Sequence, residues 1–359
     1  GGFTGLNIKG WLCSDDTLSH ISLVKSLIYN FKSKEDLCKK FSEELCNSYF
    51  KDTIKKEFRF WGSTTKDAIN DLYKKRLKWN NSPYDNYKGG AGAAMRSLCL
   101  GLVFNNQNKK LKFKKKDMYL KLVEYSIDLS RITHNSVFGY MGGVVCALFS
   151  SFAFDHYPID TWYILMKETL DICLDDIIKK LGRDYDKFLK NKNEFFNKWN
   201  KYNEFRFNLK MNSKNSQFVS KETDKNLYQR IKKLYELFSV PEGLNMDQYN
   251  DENKDNNFIP FFPGSNGCDS MIMAYDALLL CDGSYEKLIY YSMLHCGDSD
   301  TIGCISSGLY GVYYFNELIN DANVGKKINN DKIKDLIHNL ELKNDLQDLA
   351  SKLYKKYYS

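Results

Sequence analysis

An all-α fold, arranged as a single compact multi-helix domain with surface insertions, is what this sequence predicts, on three observations. Only 5 prolines fall among 359 residues, and a helix interior tolerates proline poorly because the ring removes an N–H and clashes with the preceding turn. Apolar residues recur at helical spacing through long segments. There is no alternation of strands with helices, and no internal period of about 20–50 residues that would suggest a solenoid. At this length, with 43% hydrophobic residues, the chain can bury a substantial core.

Taken in order, Ser14 is a plausible N-cap for a helix over Asp15 to Phe31, with Leu18, Ile21, Leu23, Val24, Leu27 and Ile28 at helical spacing. A polar-apolar helix is expected from Lys34 to Ser48. The run Arg59 to Thr65 breaks the pattern, and a helix resumes from Asp67 to Trp79. Asn80 to Asp85 is a turn-rich loop. Gly89-Gly90-Ala91-Gly92 reads as a flexible loop entering a helix with Leu98 to Val103, and lysines within 109–116 form a basic connector. Helices are then expected over Asp117 to Ser130, Gly139 to Phe154 and Asp160 to Leu181. Residues 183–226 are rich in Lys, Asn and Phe and read as an insertion, with Lys210 to Lys214 disordered or surface-bound. Residues 247–257 form a polar acidic loop. Ser270 to Leu280, Tyr285 to His295, Thr301 to Asn316 and Lys332 to Lys355 complete the set.

Charge and cysteine usage narrow the function classes. Lys+Arg 52 against Asp+Glu 45 gives +7, but no basic stripe interleaved with aromatics lies near the chemical motifs, so a nucleic-acid partner is not expected. The 10 cysteines show neither a CxxC pair nor zinc-finger spacing. Cys99, Cys146, Cys173, Cys281 and Cys304 sit in apolar runs, as reduced buried thiols do, which favours a reducing cytoplasm. The apolar run from Tyr140 to Phe154 is shorter than the roughly 20 residues that span a bilayer, so no membrane partner is expected either. The chain starts at Gly1 without a methionine, which leaves room for an upstream segment.

Two short acidic clusters carry the chemistry: Ser14-Asp15-Asp16-Thr17 and Gly297-Asp298-Ser299-Asp300-Thr301. Each stands where an apolar helix is expected to open, whose unpaired N–H groups favour ionised carboxylates. Singly, each is a helix cap. Brought together, their Asp and Ser/Thr oxygens make a site for hard divalent cations such as Mg²⁺ or Mn²⁺. His20 and His295 lie close by in sequence, but no His-x-x-x-His pair supports zinc. The glycine loop could cradle phosphate on its N–H groups or could simply be a tight turn; it matches neither a dinucleotide fingerprint nor a P-loop. His134, before a buried helix, is as a lone residue more often structural than catalytic. No spacing indicates covalent nucleophilic catalysis.

These segments, in this order, resemble the ADP-ribosylglycohydrolase family, and within it the ADP-ribosylarginine hydrolases. The matching stretches are SDDT at 14–17, GGAGAAMRSLCLGL at 89–102, SRITHNSVFGYMGGVVCALF at 130–149, KWNKYNEFR at 198–206, MIMAYDALL at 271–279 and HCGDSDTIGCISSGLYGVYY at 295–314. The resemblance implies an all-α fold of that type around a cleft with two Mg²⁺ ions, and hydrolysis of a glycosidic bond to ADP-ribose. The implied metal ligands are Ser14, Asp15, Asp16, Asp298, Asp300 and Thr301, with Asp15 or Asp16 holding or deprotonating the attacking water. Tyr87, Gly89, Gly90 and Gly92 would line the diphosphate and neighbouring ribose, His134 and Tyr140 the same cleft wall, and Ser265, Gly267 and Asp269 a substrate-ribose loop. The expected partners are ADP-ribose and ADP-ribosylated proteins, bound by a monomer. Linkages to serine or O-acetyl-ADP-ribose, or a non-catalytic ADP-ribose-binding or structural protein on the same fold, are the competing readings. The family's usual Gly-Asp-x-x-Gly helix ahead of the first acidic cluster is not found in the thirteen residues before Ser14. Cys296 replaces a usual glycine, and Cys268 stands where arginine-type enzymes commonly have histidine.

Overall fold

The computed structural model describes residues 7–111, 114–207, 218–238, 263–295, 297–320 and 338–359. Among them the regular elements are helical: α1 Asp15–Ile28, α2 Lys34–Lys55, α3 Ser63–Tyr73, α4 Leu98–Val103, α5 Lys115–Arg131, α6 Val137–Phe154, α7 Trp162–Leu181, α8 Tyr185–Arg206, α9 Leu227–Phe238, α10 Gly267–Leu280, α11 Tyr285–Met293, α12 Ser299–Asn320 and α13 Lys343–Tyr357. Two isolated bridges, Gly90 with Asn266 and Phe207 with Phe218, are the β-type pairings among the described residues. The all-α prediction holds. The polar loop at 247–257, Lys210 to Lys214 and residues 332–337 of the last predicted helix lie outside the described residues.

Helix α6 is the axis of the domain. It packs against α4, α5, α7, α8, α10 and α12, so a helix apolar on every side finds apolar cover on every side. By length and composition alone its 18 residues pass as a membrane span, yet it is 89% buried within the domain. Gly142 lets α10 approach closely: a Cβ there would lie 2.5 Å from the carbonyl oxygen of Gly267. Phe149, on the same helix, meets Trp162 of α7, Trp199 of α8 and Tyr275 of α10 at ring-centroid distances of 5.4, 5.8 and 5.0 Å. Each such pair contributes about 0.5–1.5 kcal/mol beyond its buried area.

Element boundaries shift from the sequence expectation for local reasons. Helix α2 continues to Lys55 and closes on Lys56 in the left-handed conformation. Helix α3 starts earlier than predicted, at Ser63, and ends at Tyr73, with Lys75 left-handed just beyond it. The strongly charged stretch after Gly182 contains α8, which buries Phe188, Phe195, Trp199, Tyr202 and Arg206 along one face. A buried ionic knot ties α8 to α9 and α10: Arg206 Nε donates to Asp276 Oδ1 at 2.5 Å, its Nη1 to Asp224 Oδ2 at 2.6 Å, and Arg230 Nε to Asp276 Oδ2 at 2.8 Å. Burial alone would raise the Asp276 carboxyl, but the two guanidinium groups outweigh it and hold the acid below its usual range.

The nine described cysteines are free thiols. Cys99, Cys146, Cys173 and Cys281 are buried as predicted, and Cys304 is half-buried. The C-terminal α13 lies on α1, where the Tyr357 hydroxyl donates to the Leu27 carbonyl at 2.9 Å.

Candidate active site

The two acidic clusters occupy adjacent helix N-termini, α1 opening at Asp15 and α12 at Ser299, and these helices pack against each other. Ser14 is the N-cap residue of α1 by position, but its side chain makes no cap bond; the hydroxyl donates instead to Asp16 Oδ2 at 2.9 Å. Asp15 and Asp16 are buried, at 7% and 3% exposure. Thr301 faces both Asp16 and Asp298 with its hydroxyl, and Asp300 lies beside them on the solvent side. The six predicted hard-oxygen residues are therefore neighbours.

Their crowding is visible in their acidities. Burial, followed by repulsion from Asp16, lifts Asp15 to about 8, against the opposing N–H of Gly62 on its Oδ2 at 3.3 Å. Burial and then Asp300 raise Asp16, while burial and a hydrogen bond shared with Asp300 raise Asp298. Asp16 Oδ1 is buried with no hydrogen-bond partner, which costs free energy unless something positive meets it. Among the described residues no three His, Cys, Asp or Glu side chains are already closed around an ion position. The donor set nonetheless fits a hard divalent cation, which would relieve both the orphaned oxygen and the repulsion.

The nearby histidines are not part of that donor set. His295 Nε2 bonds the Ser292 carbonyl at 2.9 Å and its Nδ1 accepts from Gly297 N at 3.0 Å, so it shapes the turn into the second cluster. Burial lowers both His295 and His20 to about 4.

Three loops close a ring beside the carboxylates. The 263–267 loop starts at the second cluster, with Asp298 N donating to Pro263 O at 2.8 Å. It then pairs with the glycine loop through Ala91 N to Ser265 O at 2.8 Å and Gly267 N to Gly89 O at 2.9 Å. The glycine loop in turn reaches α3: a Cβ on Gly92 would lie 3.3 Å from Thr65 Oγ1, three residues from the Gly62 amide that holds Asp15. Thus the glycine loop is not the flexible entry to α4 that its composition suggests. It is pinned by main-chain bonds, and the Ala91 N–H is already spent on Ser265.

His134 sits under this loop, where a Cβ on Gly92 would come within 2.5 Å of its Cε1 and 2.8 Å of its Nε2. Buried Arg96 donates to Gly92 O at 2.8 Å and to Thr133 Oγ1 at 2.9 Å, and Thr133 Oγ1 lies 2.6 Å from His134 Nδ1. Thr133 Oγ1 thus joins Arg96 to His134 Nδ1, and the ring's other nitrogen, Nε2, lies beside Gly90 and Gly92. Burial, then Arg96 and Lys88, keeps this ring neutral.

Tyr87, Tyr140 and Asp269 land away from this ring, and Gly267 packs within it. Tyr87 is 88% exposed at the surface. Tyr140 is not on a cleft wall: it is fully buried, with the Arg131 guanidinium 4.5 Å above its ring, because the apolar α6 turns that face inward. Asp269 is buried and paired with Lys198 at 3.3 Å, so its carboxylate is engaged within the core; its Oδ2 has no hydrogen-bond partner. Gly267 is a contact glycine, where a Cβ would lie 2.4 Å from Phe138 O. Sequence reasoning passed over Gly62, Thr65 and Arg96, although the break Arg59 to Thr65 marked the first two.

Comparison with known proteins agrees with this architecture. The pattern of the ADP-ribosylglycohydrolase family matches residues 2–359. A protein of Acanthamoeba polyphaga mimivirus named for ADP-ribosyl glycohydrolase is 31% identical over 318 residues, covering 88% of this chain and 55% of its own length. The chain thus spans about half of that relative. ADP-ribosylhydrolase ARH1 of Dictyostelium discoideum is 30% identical over 329 residues, covering 88% of this chain and 77% of its own. A solved structure titled as an ADP-ribosylglycohydrolase-related protein complex shares the fold at a TM-score of 0.50 with 13% identity, over 95% of this chain and 81% of that one. Acidic clusters, glycine loop and all-α framework all lie within the matched span, and the chain belongs to the ADP-ribosylglycohydrolase family.

Proposed function

We propose that this protein hydrolyses the glycosidic bond between ADP-ribose and a protein arginine side chain, with Mg²⁺ as its metal and Mn²⁺ as a substitute. The observation that carries the reading is the meeting of two acidic clusters, nearly three hundred residues apart in sequence, beside a pinned glycine loop. Ser14, Asp15, Asp16, Asp298, Asp300 and Thr301 would hold the cations. When bound, these supply positive charge that orients the hydroxyls of the distal ribose.

The protein's own groups do the rest. Asp15 or Asp16 would hold the attacking water and take its proton as positive charge builds on the sugar ring. Asp298 and Asp300 would chiefly bind metal. The missing side chains of Gly90 and Gly92 leave room for the neutral His134 ring against the loop, where its Nε2 would meet a phosphate or ribose group. The likeness of the 89–102 and 271–279 segments to arginine-type members supports arginine over serine as the linkage.

The experiment is release of ADP-ribose from arginine-linked and serine-linked peptides, with Mg²⁺ or with chelator, for the wild type and Asp16→Asn. Metal-dependent release from the arginine peptide, lost in the variant, is the expected result. Release from the serine peptide alone would overturn the linkage, and no release from either would overturn hydrolysis.

A further inference from the structure

We infer that Glu341 is a positioning residue for Asp15, acting through Arg59; the inference rests on the hydrolase reading above for its catalytic consequence, not for its geometry. Arg59 lies in the extended break between α2 and α3 with its side chain 3% exposed. All five of its N–H donors are engaged. Nε bonds Asp52 at 2.7 Å. Nη1 bonds Cys13 O at 2.9 Å and Glu341 Oε2 at 2.7 Å. Nη2 bonds Glu57 at 2.7 Å and Glu341 Oε1 at 2.6 Å. A guanidinium held at every donor has no freedom left to rotate.

The main chain of the same residue touches the site. Arg59 O accepts the Asp15 N–H at 3.0 Å, and three residues later Gly62 N reaches the Asp15 carboxylate. Asp15 is thereby held at its backbone and at its side chain by one short segment. That segment does not hold itself: Phe60 within it has φ 58 and is 75% exposed, a left-handed conformation a bulky residue keeps only when its neighbours enforce it.

Asp52 and Glu57 are local to Arg59, but Glu341 comes from 282 positions away. It also accepts the Cys13 N–H on Oε2 at 2.7 Å. One carboxylate therefore ties together the two segments, 13–15 and 59–62, that meet at Asp15. Among the described hydrogen bonds no other group from outside the two segments bonds both; between themselves they are joined by Arg59 Nη1 to Cys13 O and Asp15 N to Arg59 O. The C-terminal α13 that follows Glu341 is anchored separately on α1 through Tyr357, which provides an internal control.

The test compares Glu341→Ala, Glu341→Gln and Tyr357→Phe in the full chain. The readouts are hydrogen exchange of the Asp15 amide, the thermal midpoint, and kcat and KM on the ADP-ribosylarginine peptide. Glu341→Ala is expected to speed exchange at Asp15 about tenfold or more and to lower kcat about tenfold, with KM within about twofold, since small displacements of a catalytic group act on the chemical step. Glu341→Gln keeps the shape and one acceptor oxygen, and should recover part of both. Tyr357→Phe should lower the thermal midpoint and leave exchange at Asp15 and kcat as they were. If Glu341→Ala lowers the midpoint but leaves Asp15 exchange and kcat unchanged, Glu341 is merely structural and the inference falls. If the wild type turns over no substrate, the hydrolase reading fails, while exchange at Asp15 still decides the positioning role. Should the alanine variant not fold, the glutamine variant decides on the same readouts.

Discussion

Removing a carboxylate from the acidic site should stabilise the metal-free protein while abolishing its activity. The perturbation is Asp15→Asn, which keeps an oxygen for the Gly62 N–H and leaves the shape of the buried side chain unchanged. In the folded protein Asp15 ionises at about 8 instead of the usual 3.8. A group whose pKa is raised on folding contributes stability that is full below its unfolded pKa and is lost as pH climbs to its folded pKa. At pH 7 the ordinary aspartate lies about three pH units above its own ionisation point, so the ceiling on the cost is about 4 kcal/mol at 1.36 kcal/mol per unit. Relaxation of the folded state and water entry reduce this, and about 1–3 kcal/mol is the expected gain for asparagine. For a chain of this size that raises the thermal midpoint by about 1–4 °C. The assay is thermal unfolding in chelator at pH 5 and pH 8. The advantage of the variant should grow from pH 5 to pH 8, and adding Mg²⁺ should stabilise the wild type more than the variant. An asparagine variant less stable than the wild type at pH 8 in chelator would refute the crowding argument.

Gly142→Ala places a Cβ 2.5 Å from the Gly267 carbonyl oxygen and should destabilise by about 2 kcal/mol or more through overpacking, read as a lower denaturant midpoint. Asp276→Ala strips Arg206 and Arg230 of their shared buried partner and should cost about 3–5 kcal/mol by the same measurement. Thr133→Val removes the acceptor for Arg96 and the hydroxyl partner of His134 Nδ1; ADP-ribose affinity should fall about tenfold by calorimetry, in line with one lost hydrogen bond to a charged group. Chelation of divalent metal should abolish turnover by the wild type, and Mg²⁺ or Mn²⁺ should restore it.

Much of this site was legible because its signals are local. Asp15-Asp16 and Asp298-Asp300 stand where apolar periodicity begins, so the sequence placed them at helix starts, and the structure has α1 and α12 opening there. Helix α6 announced itself by an unbroken apolar run. What stayed hidden depended on partners far away in the chain. Phe188, Phe195, Trp199 and Tyr202 fall at spacings of seven, four and three, a helical stripe that the surrounding Lys and Asn dilute. Arg59, Arg206 and Arg230 look like surface residues by type, and only folding supplies the carboxylates that permit their burial. Tyr140 shows the opposite limit: a polar-tipped residue beside a site motif, whose ring the helix face turns into the core.

Helix α6 also has a history during translation. It leaves the ribosome before α8, α10 and α12, which later cover it. At about 5–20 residues per second, the polypeptide needs on the order of ten seconds or more to complete that cover. Through that interval the nascent chain leaves uncovered part of an 18-residue helix that is apolar on every side, the kind of surface on which partly folded chains aggregate.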